Sequence, residues 1–219
     1  MPSIKFLSAI LATVASVSAN PVRRAGTVSV TPHEQYSSSV GVLGCLINTN
    51  HVAYWPGAVD CDNICVKLTY QGRTGHVLKI DTSGGAHDVS YDMWNFLVFG
   101  QSAASQPHQG GGVNMQWENV PMSECSSLLH NGKLPVSASN SVNFIDNCIR
   151  TKPNSWVAKN YEFINMLDPV CHFGWNEVCT YNRNVSNQPK CAHQLGDPHQ
   201  PTGQKVTNIQ YGTGKSYTA

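Results

Sequence analysis

Charge is scarce in this chain. Asp, Glu, Lys and Arg make up 12% of its 219 residues, about half the share of an ordinary soluble protein. No Lys/Arg cluster stands out, which argues against a nucleic-acid partner or an anionic membrane surface. After the first twenty residues there is no apolar run of the roughly 20 residues needed to span a bilayer. The familiar catalytic spacings are missing too. The nine histidines never fall in His-x-x-x-His or His-Glu-x-x-His order, and no Gly-x-Ser-x-Gly elbow occurs. Gly110-Gly111-Gly112 is not a phosphate loop, because no Gly-Lys-Ser/Thr follows it at that spacing. Nothing in these patterns calls for a cofactor or a bound metal.

The N-terminus carries a targeting signal. Lys5 precedes the apolar residues 6–15, and Ser16-Val17-Ser18-Ala19 supplies a small-x-small cleavage site. Residues 1–19 therefore read as a secretory signal peptide. Arg23-Arg24 reads either as the dibasic end of a pro-segment over 20–24 or as two exposed arginines at a terminus. Removing residues 1–24 takes three basic residues from 14 and leaves 11 against 13 acidic ones, a net charge of −2. The expected product is a secreted monomer, extracellular or cell-wall associated, with no membrane attachment once the signal is cut.

Cysteine usage fits that compartment. Cys45, Cys61, Cys65, Cys125, Cys148, Cys171, Cys179 and Cys191 all lie in the mature part, and an even set behind a signal peptide reads as up to four disulfides of unspecified pairing. Cys61-Asp-Asn-Ile-Cys65 has the look of half a zinc site, but no second Cys/His pair follows at finger spacing. Asn184-Val185-Ser186 is an N-glycosylation acceptor on an expected surface loop.

Strand signals concentrate before Cys125. Val66, Leu68 and Tyr70 alternate with Lys67 and Thr69, and Leu78 and Ile80 alternate with Val77 and Lys79, the period-2 pattern of half-buried strands. Residues 71–75 supply the turn between them. Further strands are expected at 27–30 and 113–120, and a short helix at 91–97 with Ser90 as its cap. Past Cys125 the chain expects a helical turn at 126–130 and a helix at 139–150. Residues 156–167 fit strand and helix alike, 171–191 read as a cysteine-dense loop region, and 205–211 as a late strand.

Several of these segments, in order, resemble the double-psi β-barrel family of expansins, barwins, family-45 endoglucanases and rare lipoprotein A. The hairpin 66–80 ending in Asp81 resembles the family's hairpin, and His87-Asp88-Val89-Ser90 stands where expansins carry His-Phe-Asp-Leu-Ser. Residues 112–121 resemble the closing strand, and Tyr54-Trp55 resembles the start of the endoglucanases' Tyr-Trp-Asp. The resemblance implies a mainly β fold for a secreted fungal protein. Residues 25–125 would form a six-stranded double-psi barrel, and 126–219 a cysteine-rich, disulfide-stapled α+β extension.

The resemblance also frames the chemistry. Inverting cleavage of a glycan needs an acid and a base roughly 6.5–9.5 Å apart. Asp88 matches the acid, but Pro56 stands where the base would follow Tyr54-Trp55, and proline has nothing to titrate. Asp81 is a weaker second acid, while Asp60 and Asp62 lie four or more residues from the matching position. Either carboxylate, Asp81 or Asp88, could instead tie its own loop. Tyr54, Trp55 and Tyr91 are expected, with Asp81 and Asp88, to line a ligand groove. The reading is a non-catalytic expansin- or barwin-like protein that binds cell-wall polysaccharide or a host extracellular protein, in the manner of a fungal effector or virulence factor. Two alternatives stand beside it: an endoglucanase-like hydrolase with a relocated base, and a structural wall protein or antigen.

Overall fold

The computed structural model describes residues 24–219. The expected signal peptide and residues 20–23 of the expected pro-segment lie outside that range.

Six strands close a barrel: β1 (Ala25–His33), β2 (Val52–Pro56), β3 (Cys65–Tyr70), β4 (Arg73–Ser83), β5 (His87–Ser90) and β6 (Val113–Asn119). They are ordered β1-β5-β2-β4-β3-β6, and β6 pairs back onto β1. Two neighbouring pairs, β1 with β5 and β2 with β4, are parallel, and the other four are antiparallel. This is a double-psi β-barrel, the fold class expected above. The hairpin is tighter than its composition suggested. Tyr70 pairs with Arg73, leaving a two-residue turn of Gln71 and Gly72 with φ of 46° and 81°. Positive φ at both positions matches the twist of the flanking strands.

Inward-facing side chains from all six strands form one core, among them Val30, Ala53, Trp55, Leu68, Val77, Val89 and Met115. The helix α1 (Tyr91–Phe99) adds Met93, Trp94 and Leu97 to it. Gly75 lets α1 sit close, since a Cβ there would stand 2.3 Å from the Met93 sulfur. Gly100 ends α1 at φ 83° and donates its N–H to the Phe96 carbonyl, the left-handed cap that glycine adopts most readily. Ser90 occupies the N-cap position without capping; its hydroxyl donates to the Asn50 carbonyl instead.

The extension packs on the outside. After a 3-10 segment at Met122–Leu128 come β7 (Leu134–Ser137), α2 (Val142–Thr151), α3 (Trp156–Lys159), β8 (Tyr161–Met166) and β9 (Gly174–Cys179). The strands form one sheet, ordered β7-β8-β9. Residues 156–167 thus hold both expected states, a helical turn and then a strand. The expected 126–130 turn comes earlier as the 3-10 segment, and β9 runs inside what reads as loop. The late strand is β10 (Thr207–Ile209), paired with β11 (Ser216–Thr218).

A second core is shared between barrel and extension. Val52, Tyr54, Leu78 and Ile80 on the outer side of β2 and β4 meet Leu134, Val136, Ile145, Phe163 and Met166. Burying each such aliphatic chain is worth about 1.5–3 kcal/mol. Among the described residues the eight cysteines form four disulfides. Cys45–Cys171 and Cys61–Cys148 tie barrel to extension, Cys65–Cys125 ties β3 to the 3-10 segment, and Cys179–Cys191 closes a loop after β9. Cys61 and Cys65 are therefore spent in different bridges, which removes the half-zinc-site reading. Bonds of this number point to an oxidising compartment.

Candidate functional site

The ladder brings three of the five expected site residues into one row. Tyr54 on β2 pairs with Asp81 on β4 and with Asp88 on β5, and Asp88 pairs in turn with Thr31 on β1. Tyr54 and Asp88 are directly paired and point to the same side, and a register shift between Ala53 and Tyr54 sets Asp81 as well as Ile80 against Tyr54, so both carboxylates stand beside one phenol. Burial, first, and then the charges of Asp81 and Asp88 push the Tyr54 phenol above its ordinary range, against a hydrogen bond from the Ser37 backbone. His33 packs on the same ring, with centroids 4.2 Å apart.

Asp81 and Tyr54 are nonetheless closed off, while Asp88 and Thr31 stay partly exposed. Asp81 is only 7% exposed. It accepts the Ser37 hydroxyl at 2.5 Å, the Ser39 N–H at 2.8 Å and its neighbour Thr82 N–H at 2.7 Å. Those three donors come from the 37–39 loop and from the strand end itself, so Asp81 ties the loop after β1 to β4. Asp88 is half-buried and accepts the Thr31 hydroxyl. Tyr54 lies in the core shared with the extension.

Trp55 and Tyr91 do not join the row. Alternation turns Trp55 into the barrel, edge-on to His87 at 5.0 Å and to Trp117 at 5.1 Å. Tyr91 begins α1, donates its hydroxyl to the His108 carbonyl at 2.7 Å and accepts the Gly212 N–H at 3.2 Å. The three aromatics expected along a groove are each at most 4% exposed. They pack against protein on all sides, and a sugar ring cannot lie on their faces in this arrangement. The alternative bases are occupied elsewhere. Asp60 accepts the N–H groups of Asp62 and Asn63 and the Lys152 ammonium, which together outweigh burial and hold its carboxyl below the usual range. Asp62 accepts the Trp156 N–H at 2.9 Å. Both acids fasten the loop before β3 to the extension. Pro56 itself is exposed.

An open groove of about 490 Å³ lies on another part of the barrel, across β1, β6 and β3. Two cross-strand rows floor it. The first is Thr27–Gln116–Thr69, and the second is Ala25–Glu118–Lys67. Lys67 and Glu118 are joined at 2.9 Å, with side chains 32% and 35% exposed. Trp117 stands between the two rows in β6, but it pairs with Gly26 and with inward-facing Leu68, and its ring turns toward Trp55 in the barrel. A Cβ at Gly26 would come within 3.2 Å of the indole nitrogen. Glycine at 26 thus makes room for the ring against β1. None of these residues was singled out from sequence as a ligand contact. The outward polar positions are visible in each strand separately, but their adjacency depends on pairings between distant segments.

No family model and no curated protein matches the chain. Among solved structures, cerato-platanin 3 from M. perniciosa is similar at 15% identity, over 46% of this chain and 98% of that one, with a TM-score of 0.33. Cerato-platanin 2 from the same organism is similar at 16% identity over the same shares, again with a TM-score of 0.33. The barrel assignment rests on the strand order and pairings above.

Proposed function

We propose that this is a secreted, non-catalytic protein that holds an extended cell-wall polysaccharide in the groove across β1, β6 and β3. The observation that carries the reading is the groove's lining: hydroxyl, amide and paired charged groups in two ordered cross-strand rows. Sugar hydroxyls can bond to such a surface, where donors and acceptors stand in register. The reading takes the polysaccharide over a host extracellular protein, the other partner class that the sequence raised, because the lining is polar and open and offers no apolar patch. The engaged state of Asp81 supports binding over hydrolysis, because a carboxylate saturated by three internal donors is poorly placed to activate water.

Retention on insoluble cellulose, chitin and β-1,3-glucan tests the proposal. Specific retention of the secreted protein on at least one of them is expected. Gln116→Ala should weaken it roughly fivefold, the scale of one lost hydrogen bond. Retention on none would leave the structural-protein alternative. A reducing-sugar assay on soluble β-glucans addresses the hydrolase: turnover lost in Asp88→Asn would replace this reading with that one.

A further inference from the structure

Asn131 and Gly132 stand in the turn that leads into β7, and both are exposed. We infer that this pair is a self-modifying site: the Gly132 backbone nitrogen attacks the Asn131 side-chain amide, and the folded protein slowly converts residue 131 to aspartate and isoaspartate. The inference goes beyond the glycan-binding reading and does not depend on it.

The chemistry needs no partner but water. Attack on the side-chain carbonyl carbon closes a five-membered succinimide ring and expels the amide nitrogen as ammonia, with the Gly132 proton passing to it through solvent. Water then opens the ring at either carbonyl, giving aspartate or isoaspartate. In sum, one amide and one water become one carboxylate and one ammonium ion.

The fold decides where this happens. The Gly132 N–H has no hydrogen-bond partner among the described residues. Gly132 holds φ at 74°, where glycine is at ease, and a Cβ there would meet nothing within 4 Å. The Lys133 N–H donates to Asn131 Oδ1 at 3.4 Å. That Asx turn folds the side-chain carbonyl back over the peptide joining Asn131 to Gly132, and it aims an N–H at the oxygen on which charge develops. Two other asparagines precede a serine, Asn140 before Ser141 and Asn154 before Ser155, and both are as exposed in class as Asn131. Their nucleophiles are withheld. The Ser141 N–H donates to the Ser137 carbonyl at 3.0 Å and the Ser155 N–H to the Lys152 carbonyl at 2.9 Å, and both serines are buried. The Asn140 amide is also bonded to the Leu167 carbonyl.

Conversion changes what the turn holds. Asn131 Nδ2 donates to Glu162 Oε2 at 2.9 Å, and the Lys133 ammonium donates to Glu162 Oε1 at 3.1 Å. A carboxylate at 131 replaces the first donor with a like charge. The isoaspartate product also adds one backbone atom ahead of Leu134, whose N–H donates to the Asn160 carbonyl where β7 begins to pair with β8.

Peptide mapping by mass spectrometry, with enzymatic methylation of isoaspartate as a second readout, follows the secreted protein over days in warm, mildly alkaline buffer. Asn131 should convert at least about tenfold faster than Asn140 and Asn154. In the reduced, denatured chain the Ser141 and Ser155 N–H groups are released, and those two sites should gain on Asn131 several-fold. Gly132→Ala, whose methyl crowds the attacking nitrogen, should slow residue 131 and leave the other two sites at their native rates, which shows that the variant is folded. Asn131 intact in the native protein but converting in the denatured chain would mean that the fold protects the turn, and the inference would be wrong. Native conversion at Asn140 or Asn154 as fast as at Asn131 overturns it too, because a free N–H would then not be what selects the site.

Discussion

The barrel has two outer faces that treat polar groups in opposite ways. On the β5–β2–β4 side, Val52, Tyr54, Leu78 and Ile80 point outward and the extension covers them. Strand β2 is consequently apolar at both parities, with Val52 and Tyr54 outside and Ala53 and Trp55 inside, as a strand buried on two faces must be. On the β1–β6–β3 side, apolar residues face in and polar ones face out. Met115 is buried while Gln116 is exposed, and Leu68 is buried while Lys67 and Thr69 are partly exposed. The difference teaches where to look for a ligand. A carboxylate on the covered side needs donors from the protein and, in Asp81, takes three. Polar groups on the open side keep capacity for a partner.

The largest effect expected from this contrast is on stability. Leu78 is fully buried between barrel and extension, so Leu78→Ala should cost roughly 2–5 kcal/mol through lost transfer energy and a residual cavity. Gln116→Ala on the open face should stay within about 0.5 kcal/mol. Urea unfolding of the oxidised proteins measures both. Equal losses would mean that the two faces are not differently covered.

A smaller effect is expected at the acids. Asp81→Ala orphans the N–H groups of Ser39 and Thr82 and the hydroxyl of Ser37, and should cost roughly 1–3 kcal/mol with glycan retention unchanged. The reverse outcome, intact stability with lost retention, would move Asp81 from the scaffold to the ligand site. Asp88 accepts from the Thr31 side chain alone among the side-chain and backbone bonds described for it, and Asp88→Asn should be milder than Asp81→Ala.

Much of this contrast was legible before folding, and part of it was not. The alternation of Val66, Leu68 and Tyr70 and the Gln71-Gly72 turn announced the β3–β4 hairpin because both signals are local. Asp81, Tyr54 and Asp88 do meet, since β2 runs between β4 and β5. The closure of Asp81 and Tyr54 was not legible, because the covering residues, from Val136 to Met166, lie far down the chain. Trp55 and Tyr91 were misplaced for a related reason. An aromatic in a strand or at a helix start can serve groove or core, and only the closed barrel turns these two inward. The groove was missed because Lys67, Gln116 and Thr27 come from three segments whose neighbourhood exists only once β6 pairs with both β1 and β3. Short, wholly buried β7 (LPVS) offered no alternation to read. The disulfide pairing had to wait for the fold, since eight cysteines allow about 105 pairings.

The smallest effect tests whether a saturated carboxylate outside the barrel follows the same rule as Asp81. Glu177 on β9 accepts the His193 N–H at 2.9 Å, the His193 Nδ1 at 2.7 Å and the Asn165 amide at 2.9 Å, while Trp175 stacks on the His193 ring at 3.9 Å. The His193 backbone bond contributes most; burial opposes it, and the side chains of His193 and Asn165 add to it, holding the carboxyl at about 2 against an ordinary 4.5. A carboxyl with a lowered folded value stabilises the fold fully above its unfolded value and loses that contribution as pH falls through the folded one. The contacts that fix residue 193 to β9 should therefore hold above pH 4.5 and loosen progressively as pH falls toward 2. Other carboxyls titrate in the same window, so the comparison with Glu177→Gln is what reads this group. The protection factor of the His193 amide, with the intrinsic exchange rate divided out, should fall on acidification in the wild type and show a flatter profile in the variant. Parallel profiles in the two proteins would place the pH response elsewhere and reduce the Glu177 cluster to a surface ion pair of little consequence.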